Sequence, residues 1–181
     1  MPDKFDFPKR PLMKFGPPDG EGFHMPDADI SFVKRKFLDL PYASISDSQK
    51  LDIYLPNSGD GPFPIILQIH GGAFAIGDKR DIHLLPFLKG IERGYAVVSV
   101  NYRLSGEAIF PAAVQDVKAA VRWIRANQAK YHLDSKRIAA CGGSAGGNLA
   151  AMLGVTGGTP VFDDPRPGNL EFSSEVEAVV D

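Results

Sequence analysis

Cysteine is almost absent. Cys141 stands alone, so no internal disulfide framework can form. That excludes the small scaffolds stapled by disulfides, and it fits a reducing cytosol. Histidine is scarce too: His24, His70, His83 and His132 are dispersed, and nothing has metal-ligand spacing. No metal and no other cofactor is expected. No stretch approaches the ~20 apolar residues of a membrane span. Met1 to Pro18 carries prolines and both charge signs where a secretory signal needs an apolar run. The expected location is cytoplasmic, with no membrane partner. An excess of one charge sign is lacking as well, with 20 basic against 22 acidic residues and no basic stripe. Nucleic acid is therefore not an expected partner.

What is there is ordinary globular material. The chain is 44% hydrophobic and 23% charged over 181 residues, enough for one core. Residues 1–36, rich in Pro, Gly, Asp and Lys, read as an N-terminal arm that packs Phe5, Phe7, Phe15 and Phe23 onto something. The domain proper is expected over residues 37–181. Two strands, 37–42 and 50–55, flank a Ser/Asp turn and make a hairpin. Residues 64–70 and 95–101 are nearly continuous apolar runs, as in strands buried on both faces of a parallel sheet. Between them, Ile82, Leu85, Leu88 and Ile91 predict a helix over 80–92, with Asp78 or Asp81 capping it. The spacing of Ala113, Val117, Ala120, Val121 and Ile124 predicts a helix over 111–130 behind Pro111. A third buried strand, 137–141, precedes a helix over 145–153. A Gly/Pro/Asp-rich loop, 154–174, then leads to a strand at 175–181. Strand–helix alternation of this kind is the pattern of an α/β fold, mostly parallel, with an antiparallel hairpin at its N-terminal side.

Two segments carry chemistry. Gly142-Gly143-Ser144-Ala145-Gly146 spells G-x-S-x-G between a strand and a helix, which is the nucleophile-elbow pattern. Ser144 is the candidate nucleophile. A serine hydroxyl is weak alone and needs a base and an oxyanion stabiliser. His70-Gly71-Gly72-Ala73-Phe74 directly follows a buried strand. Its small residues let main-chain N–H groups of Gly72 and Ala73 face a substrate oxygen, joined by that of Ala145. His70 reads as orienting this loop. Tyr102, Arg103 and Asp116 read as a structural hydrogen-bond or ion-pair set, and Cys141 as a small buried hydrophobe.

Taken together, these segments resemble the α/β-hydrolase superfamily, in particular carboxylesterases related to hormone-sensitive lipase and to bacterial acetyl or feruloyl esterases. Asn101-Tyr102-Arg103-Leu104, Phe110 to Asp116, Arg122-Trp123-Ile124 and Leu133 to Ile138 extend the likeness over roughly residues 37–181. The resemblance implies an α/β-hydrolase fold and a serine carboxylesterase. Such an enzyme cleaves short-chain esters of small molecules through an acyl-enzyme on Ser144. Ala73 replaces the third glycine of the family's loop and still supplies an N–H. In the family, the triad acid and histidine follow the nucleophile, yet no residue after Ser144 is a histidine. Asp163 and Asp164 precede the next strand and do not match the acid. The expectation is a fold truncated after the elbow helix and next strand. Acid and base would then lie outside the chain, and a second chain or self-association would cover the open sheet edge. The same residues also fit an amidase, formamidase or peptidase, or an inactive binding protein on this fold.

Overall fold

The computed structural model describes residues 25–181. Its strands are β1 (Arg35–Pro41), β2 (Lys50–Leu55), β3 (Phe63–Ile69), β4 (Ala96–Val100), β5 (Leu133–Gly142) and β6 (Ala178–Val180). They form one sheet in the order β1-β2-β4-β3-β5-β6. The two pairings of β2, with β1 and with β4, are antiparallel. β3 runs parallel to both β4 and β5, and β5 parallel to β6. The expected antiparallel hairpin and parallel remainder are what the sheet shows.

Both faces of the central strands are covered, which is why β3 and β4 are apolar almost throughout. On one face lie α2 (Ala112–Ala126) and α3 (Ala145–Thr156). Here Leu67, Ile69, Val98 and Val100 pack with Val117, Val121, Ile124, Leu149 and Leu153. On the other face lies α1 (Leu85–Leu88), where Val97 and Tyr54 pack with Leu84, Leu88 and Ile91. Neighbouring Val97 and Val98 thus serve opposite faces, as the two-residue period of a strand requires.

Four elements differ from expectation, the first being α2, which ends at Ala126 instead of running to 130. The helix predicted over 80–92 is broken into 3-10 turns at Ile82–Leu84 and Ile91–Arg93 around the four-residue α1. Gly90 packs closely on the sheet, where a Cβ would come 2.7 Å from Ile66 Cδ1, and Gly94, at φ 82°, ends the segment. β5 starts at Leu133 instead of Arg137, with a register shift opposite Pro64 and Ile65. β6 is three residues long, and Val179 and Val180 on it are exposed.

Phe5, Phe7, Phe15 and Phe23 lie outside the described residues. The described end of the expected arm is packed onto the α1 face. Ala28 N donates to Arg80 O (2.7 Å), Asp27 bridges Asp81, and Val33 is fully buried. For function, the decisive feature is that β3 and β5 are neighbours. Ile69 and Gly142 are paired at their C-terminal ends, so the segments that follow each strand start side by side.

Candidate active site

Ser144 stands between β5 and α3 with φ 57° and ψ −121°, a left-handed conformation that costs a serine about 1–3 kcal/mol. Glycines on both sides hold it there by close approach. A Cβ on Gly146 would lie 2.1 Å from Ile69 O, and one on Gly142 would lie 2.5 Å from the Gly146 carbonyl carbon. The elbow is therefore clamped between β3 and its own helix. Ser144 itself is exposed. Ala145 follows as the first residue of α3, whose positive dipole end faces the same place.

The loop after β3 presses against this elbow. A Cβ on Gly71 would lie 2.9 Å from Gly143 O and 3.7 Å from Ser144 Cβ. Three successive residues of the loop have positive φ: Gly72 (114°), Ala73 (53°) and Phe74 (60°). Gly72 O accepts from Ala75 N and Ile76 N at 2.9 and 3.0 Å, which closes the loop. Among the described residues, the N–H groups of Gly72, Ala73 and Ala145 donate to no protein acceptor. The structure thus brings together the four residues singled out in the sequence: Ser144 and three main-chain donors beside it.

His70 braces the loop. Its ring is buried and stacked on Tyr102 at 4.5 Å. Its Nδ1 lies 2.7 Å from Gly71 O, so Nδ1 carries the proton and donates. Tyr102 OH donates to His70 O at 2.9 Å. Burial pushes the imidazole below its ordinary value and keeps it neutral. His132 is at the opposite end of the sheet, where its carbonyl accepts from Phe63 N at the start of β3.

His83 went unassigned in the sequence, and the structure gives it a location near the elbow. It lines a cavity of about 700 Å³ together with Ser144, Gly72, Ala73, Ile82 and Phe87. Its Nδ1 is 3.2 Å from Asp81 Oδ1, which also accepts the His83 N–H and caps the 3-10 turn. The Asp81-x-His83 spacing was legible; its proximity to the elbow depends on the β3–β5 pairing and was not.

The remaining carboxylates near the elbow helix are occupied. Asp163 is held by Lys118 Nζ (2.8 Å) and Arg122 (2.6 Å), and Asp164 by Arg166 (2.6 Å). Arg103 grips Asp116 through Nε and Nη2 at 2.9 and 2.7 Å, and Gln49 donates to the same carboxylate at 2.7 Å. That set ties the loop after β4 to α2 and β2. Asp78 and Asp81 both accept backbone N–H groups at the expected cap. Cys141 is buried, and burial raises its thiol above the ordinary value. Among the described residues no group of three or more His, Cys, Asp or Glu is placed to hold a metal ion. No helix among them is long and apolar enough to cross a membrane.

Known proteins are similar to this chain. The probable carboxylic ester hydrolase LipM of Mycobacterium tuberculosis is 35% identical over 145 residues, covering 78% of this chain and 33% of LipM. Kynurenine formamidase of Danio rerio is 29% identical over 136 residues, covering 74% and 44%. A solved structure, a truncated form of a carbohydrate esterase from gut microbiota, superposes with a TM-score of 0.76 at 35% identity. It covers 86% of this chain and 58% of that one. The chain spans about a third of the length of the first curated relatives it matches. The family model BD-FAE matches residues 51–181, which include the loop after β3 and the elbow. The chain belongs to the BD-FAE family and has the α/β-hydrolase fold.

Proposed function

We propose that this chain carries the nucleophile and oxyanion donors of a serine carboxylesterase acting on short-chain esters of small molecules. Ser144 Oγ attacks the ester carbonyl carbon, and the N–H groups of Gly72, Ala73 and Ala145 hold the oxygen as it gains charge. The carbonyl–alkoxy bond then breaks, the alcohol leaves with the proton, and water hydrolyses the acyl-enzyme. The carrying observation is the strained Ser144 clamped beside three N–H groups that have no protein acceptor. The base is a histidine outside this chain, oriented by an acid also outside it. In support, His70 is locked in the loop, His132 is at the far end of the sheet, and His83, which lines the cavity with Ser144, makes no hydrogen bond to it and has its Nδ1 3.2 Å from Asp81; His24 lies outside the described residues.

Ser144→Ala tests the assignment. In a form that contains the base, turnover should fall by a factor on the order of 10⁴ or more. Retained ester hydrolysis would refute it. A fluorophosphonate probe applied to residues 1–181 alone should leave Ser144 unlabelled, because labelling requires a nearby base.

The formamidase among the relatives favours a second reading, amide cleavage by the same groups. Matched ester and anilide substrates separate the two, and preference for the anilide would sink the esterase. The proposal includes a cytoplasmic location, supported by the single buried Cys141. It also includes a second polypeptide, or another copy of this chain, over the free edge of β6. The exposed Val179 and Val180 support that. A sample that is monomeric in sedimentation and melts cooperatively on heating would contradict it.

A further inference from the structure

A second cavity, of about 250 Å³, opens between the start of α2 and the start of α3. Phe74, Ala108, Phe110, Val114 and Leu149 give it apolar walls. Ser105 and Asn148 add a hydroxyl and an amide, while the guanidinium of Arg103 is already committed to Asp116. Apolar walls with a few polar groups are the usual make-up of a small-molecule site.

Its place ties it to the elbow. Phe74 directly follows Ala73. Asn148 is one turn along α3 from Ser144, and its N–H donates to Ser144 O at 3.0 Å. One helical turn is about 5.4 Å, so the cavity begins within a substrate arm's length of the nucleophile. Ser144 lines the larger cavity and has this one as a neighbour.

Phe110 stands at the rim, 67% exposed, beside Ile109 at 80%. It is braced. Phe162 packs edge-on against it at 5.3 Å. The loop carrying Phe162 is anchored by the buried Lys118, whose Nζ donates to the carbonyls of Thr156, Thr159 and Val161 at 2.7–2.9 Å. An exposed phenylalanine held in one orientation over an apolar hollow presents a fixed aromatic wall.

We propose that this cavity is the subsite for one apolar arm of the ester, and that Phe110 determines which arm fits. The arm is a single flat ring or a short branched chain, with a hydrogen-bonding substituent toward Ser105 and Asn148. A volume below the ~300–1,000 Å³ of drug-sized pockets admits no long acyl chain. The assignment of the arm rests on Ser144 being the nucleophile.

Titration of the 1–181 chain with 4-methylphenol, followed by ligand-observed NMR, tests the subsite without needing turnover. Ala108→Trp fills the cavity and should weaken binding more than tenfold. Phe110→Ala should weaken it about three- to tenfold, the range that aromatic pairing supports. Val155→Ala, far out on α3, should leave it unchanged. Phe110→Leu provides a second rim variant should the alanine change melt the fold by circular dichroism, and it should weaken binding in the same direction. Equal affinity in the folded Ala108→Trp and Phe110 variants would overturn the subsite. Labelling of Ser144 in a form that contains the base is scored separately. Ring binding lost in Ala108→Trp supports the subsite whatever the labelling. A labelled Ser144 with no ring binding overturns the subsite and leaves the nucleophile standing.

Discussion

Replacing Gly146 by alanine puts a methyl group 2.1 Å from the carbonyl oxygen of Ile69 and 2.8 Å from that of His70. Both are main-chain atoms of β3 and its exit, so no side chain can swing aside. The first turn of α3 must retreat by about 1 Å or more before the contact approaches an ordinary van der Waals distance. Overpacking costs about 1–3 kcal/mol, and a backbone clash belongs at the upper end. Alanine's helix preference returns about 1 kcal/mol. The net loss is about 2 kcal/mol, or a Tm lower by about 4–8 °C for a domain of this size. Gly143 is the internal control. A Cβ there meets nothing within 4 Å and its φ is not left-handed, so Gly143→Ala should stay within about 0.5 kcal/mol of the parent. Urea and thermal melts by circular dichroism measure both. In a form containing the base, the displaced Ser144 should also lose about 10²-fold in rate, the cost of a 1 Å misplacement. A Gly146→Ala protein as stable as the parent, or equal damage from Gly143→Ala, would refute the clamp.

Three further outcomes follow from the titratable and paired groups. Arg80 and Lys79 hold the Asp39 carboxyl down at about 2 from an ordinary 3.8. Its contribution is complete above pH 4 and is lost as pH falls toward 2, so Asp39→Asn should flatten that part of an acid titration of stability. Burial holds His70 below 6.5, so the fold should weaken as pH drops beneath that value, and His70→Asn should remove the slope in urea midpoints between pH 8 and 5.5. Removing Arg103 leaves Asp116 buried with only Gln49 and the main-chain N–H of residue 103 as donors. Arg103→Met should therefore cost about 3–5 kcal/mol in chemical denaturation.

Much of the fold was legible because its signals are local. Residues 64–70 and 95–101 are apolar without alternation, and such runs at this length belong in a doubly covered sheet. The elbow was legible for the same reason: its glycines sit within two residues of Ser144. What escaped the sequence is long-range. Leu133-Asp134-Ser135-Lys136 looks like a connector, yet Leu133 pairs with Phe63 and Asp134 with Pro64 across a register shift. Lys118 lies beside the apolar stripe of α2, where periodicity gives no reason to bury a cation. It is fully buried because three carbonyls and Asp163 from the 156–163 loop surround it. His83 has no local signal of its place at all. Only the sheet order puts it in a cavity with Ser144.

That order also fixes when the site can exist. β3 leaves the ribosome before either of its neighbours, β4 and β5, and the segments after β3 and β5 meet only once the more distant strand has docked. Pairings across so many residues form slowly, because loop closure must precede the contacts that reward it. A partly folded chain can therefore display the β1–β2 hairpin and the helices while the elbow at Ser144 and the loop after β3 are still apart. The meeting of the elbow with the loop after β3 therefore waits on the β3–β5 pairing, the most distant in sequence of the sheet's strand pairs.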